Sequence, residues 1–302
     1  MTASFKNGSL ARSDAWFGLK MTTVAAIMMA VLLLVPSALT VIYSLHNVPA
    51  NGSSFGEFVG FRNYQIIFGS AVFWRSVWVT LWFSLGFVVL STLIGFAMAL
   101  LLNQEFFGRG LARALLIVPW ATPWLVIGIL WKWYADGSVG GLNALLVGLG
   151  ITSDYQNFLA DPNSALMITI IAAAWRQASF AGILLLAGLQ TLPSELYEAA
   201  ELDGANWWQR LQNVTIPWLR PVLVTVTVLN IIYAFLQFDV IFAMTQGGPG
   251  DATQVLSILI YRQLFVVTQI GLGSALAVVL GVAALIGGLV TVKLLYRGEA
   301  AN

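Results

Sequence analysis

The sequence predicts an all-α membrane protein with six transmembrane helices and one further helix on the cytoplasmic side. Of its 302 residues, 59% are hydrophobic and only 9% are charged, whereas soluble domains carry about 25% charged residues. Six apolar runs reach the length of roughly 20 residues that a helix needs to cross a bilayer. A single polar segment separates the fourth run from the fifth. We therefore expect membrane lipid to solvate much of the chain.

The composition also argues against several classes of function. The net charge of +1 gives no electrostatic basis for binding nucleic acid. Cysteine is absent, which excludes disulfides, iron–sulfur clusters and thiol nucleophiles. His46 is the single histidine, so a zinc site is not expected. We expect no cofactor and no metal, and we interpret His46 as a residue of the membrane interface.

The first apolar run follows a polar, basic segment, residues 1–20. The run is too long for the core of a signal peptide and lacks a convincing cleavage site, so we expect a retained span. The predicted spans are residues 21–45, 77–102, 111–134, 164–190, 218–245 and 269–295.

Lysine and arginine set the predicted orientation, because cytoplasmic loops are enriched in them. With the N-terminus inside, nine basic residues lie on the cytoplasmic side and four on the outer side. The nine are Lys6, Arg12, Lys20, Arg109, Arg113, Arg210, Arg220, Lys293 and Arg297. The four are Arg62, Arg75, Lys132 and Arg262. Both termini and the polar segment are therefore predicted to be cytoplasmic.

The outer segments carry turn and short-helix signals. Residues 135–163 are rich in glycine and predict a loop with a short helix near 142–149. The sequence QGGPG at 246–250 predicts a sharp turn, since glycine adopts positive φ and proline ends a helix. Residues 255–267 predict a short helix along the outer surface.

The polar segment, residues 192–217, predicts a helix, a turn and a second helix. Pro193 and Ser194 are a helix-start signal, and the first helix is expected to run to about Asp203. Three glutamates at a spacing of three form an acidic stripe; they are Glu195, Glu198 and Glu201. Gly204 permits a sharp turn. Asn206 is expected to cap a second helix through Asn213, which Pro217 limits.

Two alternatives fit parts of this segment. A DNA-binding helix-turn-helix also has small residues before a turn glycine, but its outward face would be basic. An ordinary solvated loop with an amphipathic helix explains the residue types equally well.

Several motifs resemble one family. Glu198-Ala199-Ala200, then three residues and Gly204, resembles the EAA motif of permease subunits in bacterial binding-protein-dependent ABC importers. Asp203 also fits that motif, and the sequence VTIP at 214–217 stands where the family has Ile-x-Leu-Pro. MTQGGP at 244–249, FVGFRNY at 58–64 and GLGSA at 271–275 are similar to its carbohydrate branch, the MalF/UgpA-like subunits. The resemblance covers about residues 20–296.

The resemblance implies the type I (MetI-like) permease fold. Residues 1–20 would be a cytoplasmic segment, residues 21–76 the first span with a periplasmic segment, residues 77–296 a core of five helices, and residues 297–302 a cytoplasmic tail. Residues 192–217 would be the coupling loop. The residues implied to couple to an ATPase are Glu198, Ala199, Ala200, Asp203 and Gly204.

The implied function is one half of the pathway for a carbohydrate in a bacterial cytoplasmic membrane. The implied partners are two ATP-binding subunits, a second homologous permease and an extracytoplasmic sugar-binding protein. No lysine follows a glycine in this sequence, so it lacks the GK[ST] of a P-loop. ATP hydrolysis is therefore expected in a separate subunit and not in this chain.

Two charges fall inside predicted spans, where charged residues are functional candidates. At a rise of 1.5 Å per residue, Arg176 lies about 18 Å and Asp239 about 12 Å from the outer ends of their spans. We favour an ion pair that fixes the packing of the spans over direct contact with a ligand.

Candidate substrate-binding residues lie in the fourth and fifth spans, which contact substrate in the maltose-type relatives that the chain resembles. Gln237 is matched from the GGP turn, and Gln177 and Phe180 are matched from the EAA motif. Tyr233 and Asp239 are included as neighbours. Trp120 and Trp124 flank prolines at a predicted kink, where they either line a cavity or serve packing alone.

Two other classes of function stay open at this point. One is a stand-alone, ion-coupled sugar carrier, although Asp239 is the one plausible buried carboxylate and ion relays use several. The other is an intramembrane enzyme, which the absence of a His-containing metal motif, cysteine and G-x-S-x-G disfavours.

Overall fold

The structure, a computed structural model, describes residues 8–48 and 55–296. The predictions for the N-terminal segment up to residue 7 and for the tail at 297–302 lie outside these residues, and so do Lys6 and Arg297. The helices are α1 (Gly8–Ser44), α2 (Arg62–Phe68), α3 (Ala71–Asn103), α4 (Arg109–Ala121), α5 (Trp124–Tyr134), α6 (Gly141–Gly148), α7 (Pro162–Leu189), α8 (Ser194–Leu202), α9 (Trp207–Arg210), α10 (Ile216–Leu236), α11 (Asp239–Met244), α12 (Leu256–Tyr261) and α13 (Ile270–Tyr296). Two π-helical turns, Leu211–Thr215 and Arg262–Val266, follow α9 and α12.

Five helical segments of the described chain are long and apolar enough to cross a membrane. They are Lys20–Ser44, Ala71–Asn103, Pro162–Leu189, Trp207–Leu236 and Ile270–Thr291. A sixth span results if α4 and α5 are counted together, although the two helices meet at 99°. The structure therefore agrees with the predicted all-helical fold and with five or six spans.

The third span, expected at 111–134 with a kink at its prolines, is broken into two helices that meet at 99°. Thr122 adopts an extended conformation with ψ of 132° between α4 and α5. It precedes Pro123, and the proline ring disfavours the helical conformation of the residue before it. Hydropathy alone does not detect this bend, because both arms are apolar.

The expected fifth span at 218–245 is wrong at both ends. It begins earlier, because α9, the π turn and α10 run on as one helical segment, Trp207–Leu236. Pro217 is the second residue of α10 and continues this helical segment instead of ending it. The separate second helix ending at Asn213 is therefore also wrong. The span ends at Leu236, since Gln237 has ψ of 123° and α11 starts a new direction.

The segments that were predicted to lie on the outer side have the predicted short helices and turn, and also a short β-ladder. Strands β1 (His46–Asn47) and β2 (Glu57–Phe58) pair in an antiparallel ladder. The predicted short helices near 142–149 and at 255–267 are confirmed as α6 and as α12 with its π turn. The QGGPG turn is confirmed by Gly247, which has φ of +94°.

The core lies where α3, α5, α7 and α11 meet. Phe83, Phe87, Ile127 and Ile241 are fully buried there. The backbones of α3 and α7 approach so closely that a Cβ atom on Gly95 would lie 2.6 Å from the Cβ of Ala181. Such contact requires small residues on both helices.

Candidate coupling and substrate sites

Helix α8, with Asp203 as its C-cap, confirms the boundaries expected for residues 194–203. Gly204 follows with φ of +75°, and an added Cβ there would meet nothing within 4 Å. The glycine is therefore needed for its backbone conformation and not for space. The Gly204 N–H donates to Glu201 O at 3.0 Å, and the Ala205 N–H donates to Ala200 O at 2.9 Å. These bonds satisfy carbonyls at the helix end, as in a glycine C-cap.

The next helix begins with the cap that the sequence predicts. Asn206 Oδ1 accepts from the Gln209 N–H at 3.0 Å, and Gln209 Oε1 accepts from the Asn206 N–H at 2.8 Å. This reciprocal pair is a capping box. It fixes the direction in which the chain leaves the Gly204 turn.

The acidic stripe of α8 is divided between two faces. Glu201 forms an ion pair with Arg210, so it faces the body of the protein. Among the described residues, Glu195 and Glu198 have no hydrogen-bond or ion-pair partner, and both are exposed. Leu202 is 90% exposed beside them. The outward face of α8 therefore combines free carboxylates, the exposed Ala199 and one apolar side chain, which sequence analysis did not single out.

The expected ion pair between Arg176 and Asp239 is wrong. The Arg176 Nε donates to Thr122 O at 2.8 Å and its Nη2 donates to Trp120 O at 2.9 Å. Its guanidinium carbon lies 3.9 Å from the centre of the Trp124 ring. Asp239 is exposed in the first turn of α11, where the helix dipole favours a carboxylate. Arg176 thus binds carbonyl groups that the break between α4 and α5 leaves free.

Three aromatic side chains form a cluster beside Arg176. Trp120 and Phe180 are stacked with ring centres 6.1 Å apart, and Phe180 meets Tyr233 edge to face at 6.4 Å. Trp120 is 43% exposed and Tyr233 is 42% exposed. The cluster therefore leaves aromatic faces and one phenolic hydroxyl accessible. It joins the broken third span, α7 and α10.

Gln177 is buried, unlike Trp120 and Tyr233, and belongs to a polar network. Its Nε2 donates to Asn230 Oδ1 at 2.8 Å. Asn230 Nδ2 donates in turn to Ser91 Oγ at 3.0 Å and to Thr92 Oγ1 at 3.1 Å. The network ties α3, α7 and α10 together. In this conformation Gln177 is 1% exposed and holds helices in place.

Gln237 lies at the break after α10 and is 4% exposed. Its backbone carbonyl accepts from Ser257 Oγ at 2.6 Å. Its side-chain Nε2 is buried and has no hydrogen-bond partner among the described residues. An unpaired buried amide costs stability, so such groups call for an explanation, and a polar ligand is one.

Two outer carboxylates have a lowered pKa for local reasons. Backbone N–H groups of Ser138 and Val139 donate to Asp136 and lower the pKa of its carboxyl group. The Ser164 N–H does the same for Asp161, which caps α7 and also accepts from the Asn163 N–H. Both residues fix turns outside the spans and belong to neither candidate site.

An exposed helix between two spans, beside a bundle with a broken helix, agrees with the membrane-embedded transport subunit that the sequence predicts. Residues 91–297 match the family described as "Binding-protein-dependent transport system inner membrane component", and the chain belongs to that family. It is a multi-pass inner membrane protein and a pore subunit for transport. The family assignment also decides against the stand-alone carrier.

Three curated relatives illustrate the similarity. The chain is 40% identical to "Trehalose/maltose transport system permease protein MalF" of Thermococcus litoralis, over 73% of this chain and 74% of the relative. It is 34% identical to "Sulfoquinovosyl glycerol transport system permease protein SmoG" of Agrobacterium fabrum, over 85% and 82%. It is 34% identical to "Inner membrane ABC transporter permease protein YcjO" of Escherichia coli, over 89% and 90%.

Solved structures support the fold. The chain superposes with a TM-score of 0.81 on a bacterial ABC transporter involved in the import of the acidic polysaccharide alginate. The sequence identity is 22%, and 94% of this chain and 96% of that chain are covered. A second structure, of the bacterial alginate ABC transporter with an alginate pentasaccharide-bound periplasmic protein, also gives 0.81 at 22% identity, with 97% and 98% covered. The predicted permease fold is confirmed.

Proposed function

We propose that this chain is the permease subunit of an ATP-driven importer for a carbohydrate and forms half of the translocation pathway. Sugar permeases among its relatives support the substrate class. The observation that carries the mechanism is α8, a helix with no buried residue that stands outside the bundle and ends in the Gly204 turn. Energy enters there from a separate ATP-binding subunit, because the sequence has no P-loop.

The outward face of α8 is the docking surface for one of two ATP-binding subunits. Glu198 offers a free carboxylate, and Ala199 allows close approach. Leu202 exposes an apolar side chain to water, so its burial on docking would be favourable. Ala200, Asp203 and Gly204 set the end of the helix and hold that face in position. Movement of the bound ATPase would then shift α8 between two positions, which is the requirement for coupling two sites.

The substrate passes the aromatic cluster of Trp120, Phe180 and Tyr233. Accessible ring faces and a few placed polar groups are the usual composition of a site for a small ligand. The Tyr233 hydroxyl and the unpaired amide of Gln237 supply polar contacts, and Asp239 lies exposed two residues further on. Gln177 supports this region through Asn230 in the conformation described.

The remaining partners follow from the orientation. We propose, from the distribution of Lys and Arg, that both termini and α8 are cytoplasmic. The segments around α2, α6 and α12 would then face outward, where a sugar-binding protein would dock. In the span Lys20–Ser44, residues 20–38 are all exposed, and Ser44 is its one buried residue. A second, homologous permease and membrane lipid are the partners for that apolar surface.

Two substitutions at Gly204 test the coupling role in the reconstituted importer. Gly204→Val places a β-branched residue at positive φ, whereas Gly204→Asn is better tolerated in that conformation. We expect sugar uptake to be lost in the valine variant and largely retained in the asparagine variant. Affinity of the binding protein for the sugar should stay unchanged in both. Equal, normal uptake by the two variants would remove the coupling role from this turn.

A further inference from the structure

We infer that four residues, Tyr197 and Glu201 on α8 with Arg210 and Thr215 on the start of the fifth span, form a latch that makes the two segments move together. The inference rests on the proposed function, because it concerns how movement of α8 reaches the membrane. The four are positioning residues, since they touch neither ATP nor sugar. No motif in the sequence singles them out as a set.

The first contact of the latch is a hydroxyl pair. The Tyr197 Oη lies 2.7 Å from Thr215 Oγ1. Thr215 is 2% exposed, so its hydroxyl has little access to water. It closes the π-helical turn Leu211–Thr215, from which α10 continues into the membrane. The bond therefore ties α8 to the base of the fifth span.

The second contact is the ion pair of Glu201 and Arg210. Glu201 follows Tyr197 by four residues, so both project from one face of α8. Arg210 precedes Thr215 by five residues, which is one π-helical turn. The side chain of Arg210 is 24% exposed and that of Glu201 is 61% exposed. One exposed pair contributes little alone, but two contacts also prevent α8 from rotating about either one.

Apolar packing does not replace these contacts. No residue of α8 is buried. A cavity of about 420 Å³ lies behind the helix, between the latch and the cytoplasmic end of α3 at Asn103 and Gln104. With open space behind it, α8 depends on the latch to keep its orientation relative to α10. Without the latch, α8 would bend about the Gly204 turn and leave α10 in place.

A distance measurement on the full chain tests the latch without any ATPase. The sequence has no cysteine, so spin labels at Leu202→Cys and Leu236→Cys are the sole thiol adducts. Both positions are exposed, and the 30-residue segment Trp207–Leu236 spans about 45 Å. We expect the double variant Tyr197→Phe with Glu201→Gln to broaden the distance distribution. Glu195→Gln, on the same helix but without a partner, should leave it unchanged.

The reconstituted importer supplies the functional test. The double variant should still hydrolyse ATP, but sugar molecules transported per ATP should fall about fivefold or more, the range of allosteric coupling factors. Exchanging the charges, Glu201→Arg with Arg210→Glu, should restore the ratio relative to Glu201→Arg alone. Tyr197→Phe alone is a milder variant that keeps the ring, should the double variant fold poorly.

The outcomes separate the latch from the proposed function. An unchanged distance distribution together with an unchanged transport ratio would overturn the latch. A charge exchange that rescues neither readout would also overturn the ion-pair half of it. If the wild-type complex shows no ATP-dependent sugar uptake, the proposed function fails, while the distance measurement still decides whether α8 and α10 are held together.

Discussion

Replacing Arg176 by methionine tests the interpretation that this residue stabilises the broken third span. The variant keeps much of the side-chain volume but removes both hydrogen bonds to the carbonyls of Trp120 and Thr122. Hydrogen bonds that involve a charged group contribute roughly 1.5–3 kcal/mol each. Loss of the contact with Trp124 adds about 0.5–2 kcal/mol. Because the pair of bonds is partly exposed, we take the lower values and expect a loss of about 3.5 kcal/mol.

The assay is thermal unfolding of the purified chain in detergent, followed by tryptophan fluorescence. Trp120 and Trp124 flank the bend, so their emission reports on the same region. Arg176→Lys keeps the charge but offers one ammonium in place of a planar fork, and should lose an intermediate amount of stability. Arg220→Met is a matched control, because Arg220 is exposed near the start of α10 and has no partner among the described residues.

The result that would refute this reasoning is a melting temperature for Arg176→Met equal to that of Arg220→Met. It would mean that the carbonyls at the bend find other partners at no cost. A further check is substrate uptake by the assembled importer. Since Arg176 positions Trp120 against Phe180, we expect uptake to fall in the methionine variant even at temperatures where it stays folded.

Three further variants separate support of the fold from contact with substrate. Asn230→Leu should destabilise the chain by about 1–3 kcal/mol, because it leaves Gln177 without its partner; unchanged unfolding would contradict the network. Gln237→Leu should leave stability equal or higher, because it removes a buried unpaired amide, and yet reduce sugar uptake; normal uptake would remove Gln237 from the pathway. Asp161→Ala should lower the melting temperature at neutral pH, whereas Asp161→Ser should keep the cap. Because the folded pKa of Asp161 lies below 3.8, its contribution is present above that pH and is lost as the pH falls.

Signals that act over a few residues were predictable from sequence. The boundaries of α8, the φ of Gly204 and the cap at Asn206 follow from local preferences that no distant contact overrides. The polar side of the fourth and fifth spans was also found, although Gln177 and Tyr233 differ in burial. Helix spacing predicts which side chains point in the same direction. The exposure of each side chain depends on which neighbouring helix covers it.

Breaks in apolar helices were not predictable from hydropathy. Both arms of the third span are apolar around Thr122, so the bend there does not show in a hydropathy profile. The mistaken pairing of Arg176 with Asp239 has the same origin. The predicted kink was not connected with free carbonyl groups, so a carboxylate was the sole partner considered for Arg176. The bend supplies two carbonyl acceptors that the sequence pattern conceals.

The close approach of α3 and α7 at Gly95 limits how the protein can change shape. Backbone atoms and methyl groups form this contact, and they have no alternative rotamers. If α3 slid along α7, the Ala181 methyl group would therefore clash with α3. We therefore expect α3 and α7 to move together as one unit. We expect the conformational change that opens and closes the pathway to occur in the helices around this pair, above all at the bend between α4 and α5.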